Sequence, residues 1–351
     1  MNRKQCMKFI YGILFGTVGA LVLCALFVVF TDPFHQYRKR GDGEYLSKAV
    51  YETAGAARNF DYRDVIVGSS MTENFRASDA DALLGWDTLK LSYSGLWTDD
   101  MQAVLTQIFD THEPEHVLMS VDMYMFMDTP EQVKSRVYAP RPEYLYTKSI
   151  LDDAPYLWNL DVLREGVRKL YGEVRGTTPS ADLSYTWGHP TGKNAVVTPY
   201  LSDRETYLKR EAEELKADYY IESTKVGLSA IEPFFTEHPE TEFIVFFPVY
   251  SMLYWDEQNI LKRTDAVIAA QEYLINAFLS HDNVRVFYFM TDEVSEDLDH
   301  YVDTCHHDAS VNHDELAYIA EGRYELFKDT YEAVLESMRL KAHGFDYDQY
   351  F

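Results

Sequence analysis

A chain of 351 residues, 46% apolar and 15% aromatic, is long enough to bury a sizeable core and too apolar to stay disordered. Its 32 basic against 57 acidic side chains leave a formal charge of −25, which repels phosphate backbones and argues against nucleic-acid partners. Cys6, Cys24 and Cys305 have no zinc-site spacing and suggest no disulfide framework, and no cofactor or metal is expected.

In chain order, the first feature is FIYGILFGTVGALVLCALFVVF, Phe9 to Phe30, which carries no charge. A helix of that length crosses a hydrocarbon core of roughly 30 Å. Arg3, Lys4 and Lys8 precede it and favour a cytoplasmic N-terminus with an exported body, while Arg38, Lys39 and Arg40 nearly balance the bias. A cleaved signal peptide is the alternative. The run is long for a signal core and no small-x-small site follows it, so an uncleaved anchor in the cell membrane is favoured. The chain then divides into a cytoplasmic tip and anchor (1–31), a juxtamembrane link and helix (32–59), and a body (60–351) interrupted by an insertion at about 127–205.

Helical character over Glu44–Asn59, at the end of the link, leads into RDVIVG (63–68), a short buried strand that opens the body. A helix over Ala77–Leu84 and a second strand, DTLKLSYSG (87–95), follow. Met101, Val104, Leu105 and Ile108 recur at helical spacing within Thr98–Thr111, and HVLMSVDMYMF (116–126) is a third strand. The alternation predicts βαβ units and a parallel sheet. The insertion is dense in Pro, Gly and aromatics, which predicts short helices and long loops that shape a binding surface. Beyond Asp203 comes a long helical stretch broken near Glu222. EFIVFFPVYS (242–251) is a strand halted by Pro248, Lys262–His281 is a helix, NVRVFYFM (283–290) is a fifth strand and His313–Leu340 is a closing helix. The sum is an α/β fold, a three-layer α/β/α sandwich with about five parallel strands, whose site belongs at the strands' carboxyl ends.

Those ends carry Gly68, Ser69 and Ser70; Ser92 to Gly95; Asp122 and Tyr124; Tyr250 and Ser251. The fifth strand runs towards VDTCHHDASVNHDEL (302–316), with Asp303, His306, His307 and His313. A serine nucleophile needs a base, and the base needs a carboxylate to hold its tautomer. Asp303 and His306 stand three apart, so a turn puts them on one face. Ser69 is the better helix cap and Ser70 the better nucleophile; a purely structural pair is the alternative. A metal held by His306, His307 and Asp308 is disfavoured because adjacent histidines point apart. A Cys305 thiol nucleophile is a further alternative. Tyr93, Tyr124, Tyr250 and Trp255 could line a substrate wall or simply pack in the core.

GSS at 68–70 followed by DTCH at 303–306 resembles the first and last blocks of the SGNH/GDSL hydrolase superfamily. With its N-terminal anchor, GSS variant and inserted middle, the chain looks most like membrane-anchored envelope members, the lipoteichoic-acid D-alanylation and alginate acetylation proteins. The phrases GSSMTENF and FFPVYSMLYW resemble a group of bacterial proteins of this kind. The resemblance implies a flavodoxin-like core with Ser70 as nucleophile, His306 as base and Asp303 behind it. It implies an oxyanion hole from the backbone N–H groups of Ser70 and Gly95 plus an Asn after the third strand. Asp122 stands in that Asn position, Asn74 is the amide that could substitute, and Ser69 and His307 would lie just behind the site. The implied activity is extracytoplasmic serine O-acyl transfer or ester hydrolysis on an envelope polysaccharide or teichoic-type polymer. A multispanning acyl-exporting membrane protein would be the partner. The alternative is a catalytically impaired scaffold or glycan-binding component of such an assembly.

Overall fold

The computed structural model describes residues 3–39, 41, 44–128, 141–177 and 179–351. Parts of the link, including Arg40, and of the insertion lie outside the described residues. The helix Arg3–Thr31 runs through the whole apolar segment, and only Val28 and Thr31 in it are buried. It is long and apolar enough to cross a membrane.

The body is built on one sheet of six strands: β1 (Asp64–Gly68), β2 (Thr88–Ser92), β3 (His116–Ser120), β4 (Glu242–Phe247), β5 (Val284–Tyr288) and β6 (Glu325–Leu326). Their order is β2-β1-β3-β4-β5-β6; the first five are parallel and β6 runs antiparallel to β5. Every residue of β1 is buried, as expected of a parallel strand covered on both faces. Alternate side chains feed two separate cores. Val65, Val67, Val117 and Met119 join one with the helices Thr98–Phe109 and Ile221–Glu237. Ile66, Leu118, Ile244 and Phe287 join the other with Phe75 and the helix Ala309–Glu321. The period of two therefore sorts the strands' side chains between opposite faces.

Five elements differ from expectation. The helical stretch beyond Asp203 ends at Leu208 and the next helix begins at Ile221, so the break spans 209–220 and lies before Glu222. The third strand stops at Ser120, and Tyr124–Met127 is a short helix. After Val121 N–H bonds Phe246 O, Asp122 turns inward to three hydroxyl groups, and the ladder cannot continue. The closing helix is two, Ala309–Glu321 and Tyr331–Gly344. Gly322, at φ 69°, caps the first in the left-handed conformation and releases the chain to form β6. The helical character over 44–59 begins only at Ala49. The insertion is more regular than its composition suggests, with two helices of 16 residues, Leu160–Arg175 and Lys193–Leu208.

Candidate active site

Strand β1 delivers the chain to Gly68, where only glycine fits. A Cβ there would lie 2.6 Å from Thr72 Cγ2 and closer still to Ser120 Oγ. Gly68→Ala is therefore expected to cost about 1–3 kcal/mol by overpacking, read by denaturant titration. An unchanged midpoint would show that the turn yields freely.

Ser69 follows in an extended conformation and caps the short helix Ser70–Glu73, its Oγ accepting from Met71 N–H at 3.3 Å. Ser70 is thereby the first helical residue, and its Oγ lies 2.7 Å from His306 Nε2. His306 Nδ1 lies 2.7 Å from Asp303 Oδ2. The carboxylate can only accept, so Nδ1 carries the proton and Nε2 accepts from the Ser70 hydroxyl. Asp303 is held by its other oxygen, which accepts the N–H groups of Cys305 at 2.8 Å and His306 at 2.7 Å.

Burial alone would lower the pKa of His306. The hydrogen bond and charge of Asp303, with smaller contributions from Asp122 and Glu73, outweigh it and raise the pKa above the ordinary 6.5. Burial pushes Asp303 up, but its bonds to His306 win and hold it below the usual carboxylate range. Burial raises the Cys305 thiol well above its ordinary value, which disfavours the thiolate form.

Ser70 and His306 open into a cavity of about 370 Å³, walled by Met71, Trp97, Tyr124 and Tyr250 and floored by the Ser94–Gly95 turn. Gly95 takes φ 74°, and among the described residues neither its N–H nor that of Ser70 has an acceptor. Two unspent donors beside a nucleophile are what an oxyanion requires. A larger cavity of about 750 Å³ lies between the juxtamembrane link and the helix Leu160–Arg175, lined by Glu44, Glu52, Lys48 and Lys169.

Asp122 is wholly buried on the cavity wall, and its carboxylate accepts from Ser69 at 2.6 Å, Ser120 at 2.9 Å and Tyr250 at 3.3 Å. Burial raises its pKa, against the pull of those donors. Both oxygens are thus occupied by hydroxyl groups, and no amide from Asn74 replaces it. Asn74 Oδ1 instead accepts from Trp187 N–H at 3.1 Å.

Trp187 itself escaped sequence reasoning. Its indole N–H donates to Ser70 O at 3.3 Å, and its ring stands edge-on to His306 at 5.7 Å. The insertion therefore reaches both Ser70 and His306. Glu73 was also missed: its carboxylate accepts from Ser94 N–H at 2.7 Å and Ser94 Oγ at 2.9 Å, bracing the turn that presents Gly95. Beneath it, buried Lys90 donates to the carbonyls of Glu73 and Phe75, and burial lowers its pKa to about 7.

Of the expected wall, Tyr124 and Tyr250 face the cavity, while Tyr93 and Trp255 are core residues. His307 is buried, with its pKa lowered to about 4 by desolvation, and it neighbours Asp308 O, Glu315 and the Tyr301 ring. Asp308 caps the next helix and pairs with His300, so His306, His307 and Asp308 converge on nothing. His313 pairs with Asp79 at the surface. No family model matches the chain, and no curated protein does.

Proposed function

We propose that this chain is a membrane-anchored serine O-acyltransferase or esterase of the SGNH type, a three-layer flavodoxin-like α/β/α domain acting on a polymer of the cell envelope. One observation carries the reading: the unbroken Ser70–His306–Asp303 hydrogen-bond chain beside two unspent backbone donors. Ser70 Oγ attacks an acyl carbonyl as His306 Nε2 takes its proton, and Asp303 holds the imidazolium. The Ser70 and Gly95 N–H groups receive the oxyanion. Collapse expels the donor's alcohol, protonated by His306, and leaves an acyl-Ser70 ester. An acceptor hydroxyl or water, deprotonated by His306, then takes the acyl group and restores the serine.

The helix Arg3–Thr31 would hold the body at the bilayer, with the N-terminus cytoplasmic and the body extracytoplasmic. A multispanning acyl exporter would deliver the acyl group, and an envelope glycan or teichoic-type polymer would accept it. The Asp122 carboxylate, in the oxyanion donor's position, favours the second reading of a non-catalytic scaffold. A fluorophosphonate probe separates the two. The catalytic reading expects one adduct, on the peptide carrying Ser70; no adduct would favour the scaffold.

The pH profile follows from His306. It acts as base only when neutral and its pKa is raised, so kcat/KM is expected to climb with pH through an apparent pKa above 6.5. Asp122→Asn removes a nearby negative charge and should move that limb to lower pH. An unmoved limb would show that Asp122 is neutral or electrostatically remote.

A further inference from the structure

The insertion does not stop at the mouth of the site. Its helix Leu160–Arg175 packs along the last turns of the apolar helix Arg3–Thr31. Gly166 permits the approach, since a Cβ there would meet Thr31 Oγ1 at 2.6 Å and Phe27 Cε1 at 2.9 Å. Just ahead of this helix, the Trp158 indole N–H donates to Leu21 O at 2.8 Å. Leu21 lies roughly 15 Å along its helix from Thr31 at the standard rise per residue. The insertion therefore runs beside the apolar part of that helix, well past its end. An indole N–H in hydrocarbon has no water to bond, and here it has found a carbonyl.

The side chains flanking Trp158 in the sequence fit the same surroundings. Ile150, Leu151, Trp158, Leu160 and Val167 are exposed, from 49% for Trp158 to 84% for Leu151. Such a patch is unfavourable in water and at home in lipid. Leu160, Val167 and Tyr171 share one helical face, and Arg164 and Arg168 border it. These arginines are paired with Asp161 at 2.8 Å and Glu165 at 2.5 Å, which lowers the cost of bringing those carboxylates to the headgroup layer.

We infer that the segment Ile150–Val167 dips into the leaflet on the body's side and is a second lipid contact, seated on the anchor helix. This rests on reading Arg3–Thr31 as a membrane-spanning helix. A body held at two places cannot swivel on its anchor. Because Trp187 of the same insertion touches Ser70 and His306, the site then keeps a fixed height above the bilayer.

Depth-dependent quenching tests this. Leu160→Cys, Val167→Cys, Leu14→Cys and Lys209→Cys are each made in the full-length chain lacking its native cysteines. Each variant carries an environment-sensitive fluorophore in nanodiscs of phosphatidylcholine and phosphatidylglycerol. The labels at 160 and 167, like that at 14, are expected to shift to the blue, to be quenched by nitroxide lipids and to resist aqueous iodide. The label at 209 should do the reverse. If the label at 14 is quenched by lipid while those at 160 and 167 behave like 209, the inference is overturned and the anchor stands. If the label at 14 also stays aqueous, the anchor reading fails and this one with it. Shielding from iodide without lipid quenching would mean that protein, such as a second copy, covers the face, and would also overturn it.

Discussion

Ser70→Ala is expected to lower turnover of an activated acyl ester by on the order of 10⁴-fold or more, and His306→Ala to do so to a similar extent. In the proposed mechanism the two side chains act as one unit, because the hydroxyl is nucleophilic only while Nε2, 2.7 Å away, removes its proton. The double variant is therefore expected to be no worse than either single one. Asp303→Asn should cost less than either, up to about 10⁴-fold, and should leave the fold intact. The amide oxygen of Asn can still accept the N–H groups of Cys305 and His306, so the turn survives. What is lost is the anion that fixes the Nδ1–H tautomer, and the Asp303 side chain, 53% exposed, leaves water to supply part of that role. Initial rates on a soluble ester, with circular dichroism as the folding control, check all four variants. A Ser70→Ala protein retaining most of its rate would remove the nucleophile assignment, and equal additive losses in the double variant would break the unit.

The five parallel strands were legible because each is a short apolar run, the first four ended by Gly, Ser or Pro, and burial on both faces demands such runs. The order of those strands then brought residues as distant in sequence as Ser70 and His306 to one end of the sheet. β6 was not legible, since two residues, Glu325 and Leu326, carry no period. Nor was the wall. An aromatic at a strand's carboxyl end reads the same whether it lines a cavity or packs in the core: Tyr93 and Trp255 went into the core, Tyr124 lines the cavity, and buried Tyr250 does both. Trp187 lay in a segment without periodicity, so nothing local tied it to Ser70. Of the three hydroxyl partners of Asp122, Ser120 is its near neighbour, but Ser69 and Tyr250 come from distant segments and only the folded chain brings them there. Tertiary polar networks of this kind leave no spacing to read.

Glu73→Ala is expected to lower kcat by about 10²-fold with little change in KM, through loss of a correctly aimed oxyanion donor. Glu73 touches no substrate. Its carboxylate grips both polar groups of Ser94, and the next N–H in the chain is that of Gly95. Without the grip, Ser94 N–H loses its acceptor and the left-handed turn at Gly95 is free to rotate its donor out of the cavity. Because the oxyanion forms only in the transition state, the loss belongs in kcat. Glu73→Gln provides the control. Its amide oxygen can accept Ser94 N–H, and its NH₂ can donate to the Ser94 hydroxyl, so the turn keeps both tethers and most of the rate should return. Removing the Glu73 charge also takes away one of the groups that raise the His306 pKa, so Gln should shift the rising limb of the pH profile slightly downward. A merely structural role for Glu73 would instead lower the melting temperature of both variants and leave the kcat of the folded fraction alone. Equal kcat losses in Ala and Gln would point to the charge rather than the tether.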